Sequence, residues 1–220
     1  MNNKFTATLP REIPETLPPD LWRFTDPDEA RVPDPDLISY YVLEKDRKLY
    51  IQGEIDEDSA LSVQRMILRW NMEDRDRPPE ERKPIKLFIF SPGGDIDCMW
   101  SLVDTVEASE TPVWTVNVGK ASSAAGLIFL AGHKRLMMKR SSLLIHEGHA
   151  RMAGDAIKLM DASANYKNTI RQMKEYILQR TRISPATLGR QHAHDWVLDA
   201  AYCLEHGACE GIVEKLGEVL

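Results

Sequence analysis

Apolar positions change their period several times along this chain, and each change marks a predicted element. Arg47-Lys48-Leu49-Tyr50-Ile51-Gln52-Gly53 reads as a short strand running into a glycine turn. From Ser59 to Trp70 the spacing lengthens, with Leu61, Val63, Met66, Ile67 and Trp70 recurring as they would on a helix. Asn71 to Lys83 is crowded with charge and contains Pro78-Pro79, so an exposed loop is expected. Ile85 to Phe90 is a clear strand, and Pro92 in Ser91-Pro92-Gly93-Gly94 is expected to end its ladder. Met99 to Glu107 then has helical spacing, Val113 to Val118 reads as a strand, and a helix of small and apolar residues starts near Ser123 and runs to Gly132. Two short strands follow, Arg135–Met138 and Ser142–His146.

Strand, helix, strand in this order predicts parallel units joined by crossover helices, which makes the fold class α/β. Asp155 to Gln179 is the longest periodic stretch, with Ala156, Leu159, Met160, Ala164, Tyr166, Ile170, Met173 and Ile177 along it. A helix of that length in a small domain is expected to project and to pack on something outside it. Ser184-Pro185 is a helix start, Ala200 to Glu205 a further helical turn or two closed by Gly207, and Gly211 to Leu216 a short terminal element.

The first 40 residues carry none of this periodicity. They hold seven of the 13 prolines, with acidic residues between them, and Leu21-Trp22-Arg23-Phe24 is their one apolar anchor. Two parts are therefore expected: a proline-rich arm over 1–40 and a folded domain over 41–220. The 220 residues carry a net charge of -6, which argues against a partner bound through nucleic-acid phosphates. Three cysteines, Cys98, Cys203 and Cys209, form no paired framework and suit a reducing cytoplasm. No apolar run is long enough for a membrane span, and no signal peptide opens the sequence, so a cytoplasmic location is expected.

Three places carry candidate chemistry. Gly119-Lys120-Ala121-Ser122-Ser123-Ala124-Ala125-Gly126 puts two serines at the start of a tightly packable helix, where free amides favour developing negative charge. Gly93-Gly94 leaves backbone amides uncovered at the carboxyl end of a parallel strand, where ligands bind in open α/β sheets. His146 closes an apolar strand, 23 residues after Ser123. Each alone has an ordinary structural explanation: a small-residue core helix, a turn, a hydrogen-bonded histidine. A core-only reading does not explain why the three occur together.

Taken in order and spacing, Phe90-Ser91-Pro92-Gly93-Gly94, Gly119-x-Ala121-Ser122-Ser123-Ala124-Ala125 with Ala131-Gly132, and Leu144-Ile145-His146 resemble the proteolytic subunit family of the Clp protease over about residues 47 to 216. The resemblance implies a serine endopeptidase that cleaves unfolded polypeptides inside an oligomeric chamber. Ser123 is then the nucleophile, His146 the general base, Asp195 the third member, and the amides of Gly94 and Ala124 the oxyanion hole. Asp195 lies in His192-Ala193-His194-Asp195-Trp196, where the aromatic residue follows the aspartate at once instead of two positions on, and Asp199 is the nearest substitute. The resemblance further implies a crotonase-like core with a protruding handle helix at about 155–180, a homo-oligomeric ring or two stacked heptamers, and a separate ring-shaped Clp-type ATPase. It implies that Glu147 to Gly154 is a strand lining the substrate path. No phosphate-binding loop is present, so no ATP hydrolysis by this chain and no cofactor are expected. Divergent relatives occur in bacteriophages, some linked to head assembly. Three other readings share parts of the pattern. One is a catalytically silent homologue that assembles with other subunits or serves head assembly. A second is an acyl-CoA enzyme of the same general fold. The third is a metal hydrolase using His146, His149, His192, His194 and Asp195.

Overall fold

The computed structural model describes residues 35–150, 152–191 and 194–220. The predicted arm lies outside the described residues up to Asp34. By its contacts the chain divides into two units, 1–42 and 43–220. Pro35–Lys45 forms a helix (α1), which begins inside the stretch expected to be the proline-rich arm. Among the described residues no helix is long and apolar enough to cross a membrane.

The second unit is built on a seven-stranded sheet. Its strands are β1 (Lys48–Ile55), β2 (Ile85–Gly94), β3 (Val113–Ser122), β4 (Lys134–Met138), β5 (Ser142–Ile145), β6 (Trp196–Asp199) and β7 (Gly211–Val213). The main path runs β1-β2-β3-β4-β7, parallel throughout, as the alternation of strands and helices predicts. The helices are α2 (Glu57–Asp74), α3 (Ile96–Glu107), α4 (Ala124–Ala131), α5 (Ala156–Arg180), α6 (Pro185–Gln191) and α7 (Ala200–Glu205). Asp56 caps α2 and Asp95 caps α3, each accepting an amide three residues on, which starts both helices earlier than their apolar spacing alone suggests. α2 also runs past Trp70 to Asp74, because Asp74 is needed inside: Arg47 grips both its carboxylate oxygens and Thr111 Oγ1 donates to it at 2.9 Å.

One sheet face packs under α2, α3, α4 and the carboxyl end of α5, with Ile51, Ile67, Leu87, Ile89, Met99, Leu102, Leu127 and Phe129 in the core. α4 is buried on every side, as its composition requires. Arg180, the last residue of α5, donates to the carbonyls of Leu130, Ala131 and Gly132 and so satisfies the end of α4. The opposite sheet face carries a smaller cluster of Phe88, Val116, Leu136, Val213 and Val219. α5 buries Met173, Tyr176 and Ile177, while Ile157 and Met160 in its first half are 74% and 72% exposed.

β1 runs through Gly53 to Ile55 where a glycine turn was expected, and the strand expectations also differ at β2, at β3 and after His146. β2 does not stop at Pro92: Pro92 is itself unpaired, but after a register shift Gly93 and Gly94 pair with Glu54 and Ile55 of β1. β3 does not stop at Val118: it leaves β4 after Asn117 and pairs with β5 over Lys120–Ser122. The buried Asn117 makes this change of neighbour possible. Its amide donates to the Ser142 carbonyl at 2.9 Å and its oxygen accepts the Gly119 amide at 3.1 Å. The described part of 147–154 has no regular secondary structure, so the strand expected there is absent from those residues.

Candidate active site

Ser123 sits where β3 ends and α4 begins. Its φ is 54° and its ψ −125°, a backbone region that non-glycine residues rarely occupy. The strain has a visible cause. The Ser123 amide donates to Leu144 O of β5 at 2.9 Å, while its carbonyl already accepts from Gly126 at 2.9 Å as the first turn of α4. The chain must finish a strand and start a helix within one residue. The Ser123 side chain makes no capping bond, which leaves Oγ to face outward. Oγ lies 2.7 Å from His146 Nε2.

His146 follows β5 directly, and the other ring nitrogen finds its partner through a strand absent from the sequence expectation. β6 pairs antiparallel with β5, Ser142 opposite Asp199 and Ile145 opposite Trp196. The next step in that register sets His146 opposite Asp195, and His146 Nδ1 lies 3.1 Å from Asp195 Oδ1. Asp199 is at the far end of the ladder, about 13 Å along the strand at the usual rise per residue. Its carboxylate accepts the Tyr202 amide at 2.7 Å and caps α7. The structure therefore brings Ser123, His146 and Asp195 together and leaves Asp199 outside. The Asp195 side chain is 69% exposed and that of His146 only 15%.

The glycine pair lies against the serine. Gly93 has φ 100°, and a Cβ there would stand 2.6 Å from Ser122 O and 2.8 Å from Ser123 Cβ. A Cβ on Gly94 would stand 2.1 Å from Ile55 O. Both positions exclude any side chain. Buried Ser91 holds this loop by donating to Gly53 O at 2.6 Å and accepting the Gly93 amide at 3.1 Å. Asp95 N donates to Ile55 O, so the ladder to β1 steps over Gly94, whose amide points away from that strand.

Gly94, Ser123, Ala124 and His146 line one cavity of about 320 Å³. Its other walls are Ile96, Met99 and Met173, with Glu54, Glu147, Gly148 and His149 at the rim. His149 meets the His146 ring edge to face at 5.4 Å. The segment after His146 is tied to α5, with Tyr166 donating to Glu147 O at 2.9 Å and Lys174 to Glu147 Oε1 at 2.7 Å. These ties, Asn117 and Ser91 were not singled out from the sequence. A buried Asn inside an apolar strand was the available signal for Asn117. His192 lies outside the described residues, and no cluster of three metal-ligating side chains occurs among those described.

The arrangement can take a proton from a hydroxyl, hold the resulting imidazolium against a carboxylate, and offer amides to an oxygen gaining charge. Comparison with known proteins agrees in kind. The family model of the Clp protease matches residues 36–216. The ATP-dependent Clp protease proteolytic subunit 2 of Treponema pallidum is 29% identical over 175 residues, covering 79% of this chain and 85% of that protein. Proteolytic subunit 1 of Shouchella clausii is 28% identical over 179 residues, covering 79% and 88%. The proteolytic subunit of Chlorella vulgaris is 26% identical over 175 residues, covering 79% and 84%.

Proposed function

This chain belongs to the Clp protease family, and from that premise we propose that it is a serine endopeptidase acting through Ser123, His146 and Asp195. The observation that carries the reading is the continuous contact from Ser123 Oγ to His146 Nε2 and from His146 Nδ1 to Asp195 Oδ1. In the first half-reaction the Ser123 oxygen bonds to the substrate carbonyl carbon while its proton passes to His146 Nε2. The carbonyl π pair moves to oxygen, where the amides of Gly94 and Ala124 receive it. Collapse expels the amine, which takes the proton from His146. Water repeats the sequence on the acyl-enzyme and restores the serine. Asp195 fixes the tautomer with Nδ1–H outward and offsets the charge of the imidazolium.

Family membership also supports a crotonase-like core, a ring of copies enclosing the site, a cytoplasmic setting and a separate ATPase that feeds unfolded polypeptide. The names of the relatives, which call them ATP-dependent, support the last of these. The exposed apolar residues in the first half of α5 support a handle that packs on another copy. We assign the proline-rich stretch 1–40 to an arm and 41–220 to the peptidase domain on composition and periodicity. A silent homologue is the competing reading, and the exposure of Asp195 favours it. Labelling with a fluorophosphonate separates the two. An adduct on Ser123, absent from Ser123→Ala, with parallel loss of fluorogenic-peptide hydrolysis is the expected result. An assembled sample that takes no label would overturn the peptidase reading.

A further inference from the structure

The cavity beside Ser123 has two kinds of wall. Ile96, Met99 and Met173 are apolar, and Met99 and Met173 are buried. Two carboxylates stand at the rim, Glu54 and Glu147, and they are not equivalent. Lys174 Nζ holds Glu147 at 2.7 Å, so that charge is answered. Glu54 is exposed, and its carboxylate has no ion pair or hydrogen bond with any described residue. The rim therefore keeps one negative charge with no partner.

An exposed glutamate is ordinary on a protein surface. The place of Glu54 is not ordinary, because the backbone fixes it at the cavity. β1 and β2 change register between Gln52 and Glu54, which sets Glu54 opposite Gly93 and beside Gly94. Gly53, just before it, has a φ of 75°, and its carbonyl accepts from the buried Ser91 hydroxyl at 2.6 Å. The same hydroxyl accepts the Gly93 amide at 3.1 Å. One buried side chain thus ties the residue before Glu54 to the glycine pair, and the carboxylate is carried on the loop that shapes the site.

Apolar walls with a lone carboxylate at the rim suit a particular kind of side chain. Lysine and arginine lay their methylenes along apolar surface and keep the charged end in water. A short apolar side chain fills the walls and gains nothing from Glu54. A long apolar one gains the walls alone. An acidic one meets a like charge.

Resting on the peptidase reading above, we propose that this cavity receives the side chain on the acyl side of the cleaved bond, and that Glu54 is a specificity-determining residue that admits lysine or arginine there. The methylenes lie on Ile96, Met99 and Met173, and the ammonium or guanidinium comes out at the rim against Glu54. The charged end stays partly hydrated, so its entry costs little and the pair is screened by salt.

The test uses the assembled full chain and three fluorogenic substrates. The first is acetyl-Ala-Ala-Lys-aminomethylcoumarin. The second has norleucine for lysine, the same stem without the charge. The third, acetyl-Lys-Ala-norleucine-aminomethylcoumarin, has the charge two residues away. The first is expected to be cleaved with a kcat/KM at least equal to that of the second. Glu54→Gln lowers the ratio of first to second by about tenfold and leaves the ratio of third to second within about twofold. Raising sodium chloride from about 0.05 to 0.5 M lowers the first ratio by about threefold, a reading that needs no variant. Preference of the reference protein for norleucine over lysine by tenfold or more would overturn the proposal. So would a first ratio unmoved by Glu54→Gln and by salt, or an equal fall in both ratios, which would mean general attraction of cations instead of contact. These results leave the peptidase reading standing. Absence of hydrolysis of all three, with no fluorophosphonate adduct on Ser123, overturns that reading and this proposal with it.

Discussion

Replacing Asp195 by Asn, and separately Asp199 by Ala, tests the assignment of the third catalytic member most directly. The Asp195 carboxylate is 3.1 Å from His146 Nδ1. Two unit charges at that separation attract by about 1.3 kcal/mol in bulk water and by about 5 kcal/mol at an effective dielectric constant of 20. Because the Asp195 side chain is 69% exposed, solvent screens the pair and the lower half of that range applies. About 2–3 kcal/mol of transition-state stabilisation is then lost in Asp195→Asn, a fall of roughly 30- to 150-fold in kcat/KM. KM changes little, since the carboxylate touches the imidazole and not the substrate. Asp199→Ala removes the α7 cap instead and lowers folding stability by about 1 kcal/mol, with kcat/KM within about twofold of the reference. Fluorogenic-peptide kinetics on assembled protein, paired with urea unfolding of each variant, reads both effects. The crossed result would refute the register argument: full activity in Asp195→Asn and collapse of activity in Asp199→Ala.

Three further expectations concern the scaffold. Asp74→Asn takes from buried Arg47 the carboxylate it grips with two nitrogens, leaving only Glu73 at 3.7 Å, and lowers stability by about 3 kcal/mol in urea unfolding. In the parent protein Arg47, with Thr111 and Arg77, holds the Asp74 carboxyl below the usual carboxylate range. Its contribution is therefore complete above about pH 4 and lost as pH falls through the lower folded value, and an acid titration of Asp74→Asn lacks that component. At the strained corner, Ser123→Gly and Ser123→Ala are both inactive, but the glycine variant is the more stable by about 1 kcal/mol, because only glycine adopts the 54° φ without strain; equal stabilities in thermal unfolding would remove the strain argument. Burial pushes the Cys203 thiol up to about 12 and the Cys209 thiol up to about 11, so native protein at pH 8 resists iodoacetamide at both positions, and mass spectrometry showing rapid alkylation there would contradict their burial.

The parallel core was legible because short apolar strand runs alternate with helical spacing or with a wholly apolar helix, and the helix from Asp155 because its period lasts for 25 residues. Ser123 and His146 were singled out by the order and spacing of three motifs that resemble one family, while position alone left Ser122 and Ser123 both open. What the residues concealed were elements fixed by partners distant in sequence. β6 is four residues long, and its Val197 is 59% exposed while Leu198 is buried, too brief an alternation to stand out. Yet β6 is the element that sets Asp195 opposite His146. The continuation of β3 through Gly119, Lys120 and Ser122 looks polar and loop-like in isolation, and it is a strand only because β5 pairs there after β4 departs. Pro92 was read as a stop because it lacks an amide proton; the ladder tolerates it by a shift in register that passes over it. Exposed Leu61, Leu68 and Met72 on α2 carry the helical period but do not face the core, which periodicity alone cannot separate from residues that do.

The three-strand ribbon of β3, β5 and β6 has a consequence for how this site fails. Ser122 pairs with Leu144, and Leu144 with Val197, so nucleophile, imidazole and carboxylate each hang from the end of a different strand in one small ribbon. Which residues face one another is thus set by hydrogen-bonded register between neighbouring strands, and the side chains close the remaining distance. Bending the ribbon carries all three groups together and leaves the proton path intact, whereas slipping β6 by one residue turns every side chain on it to the other face and removes the carboxylate altogether. The approach of Asp195 to His146 therefore depends on whether the four residues of β6 are paired with β5, a far smaller element than the parallel core that carries Ser123.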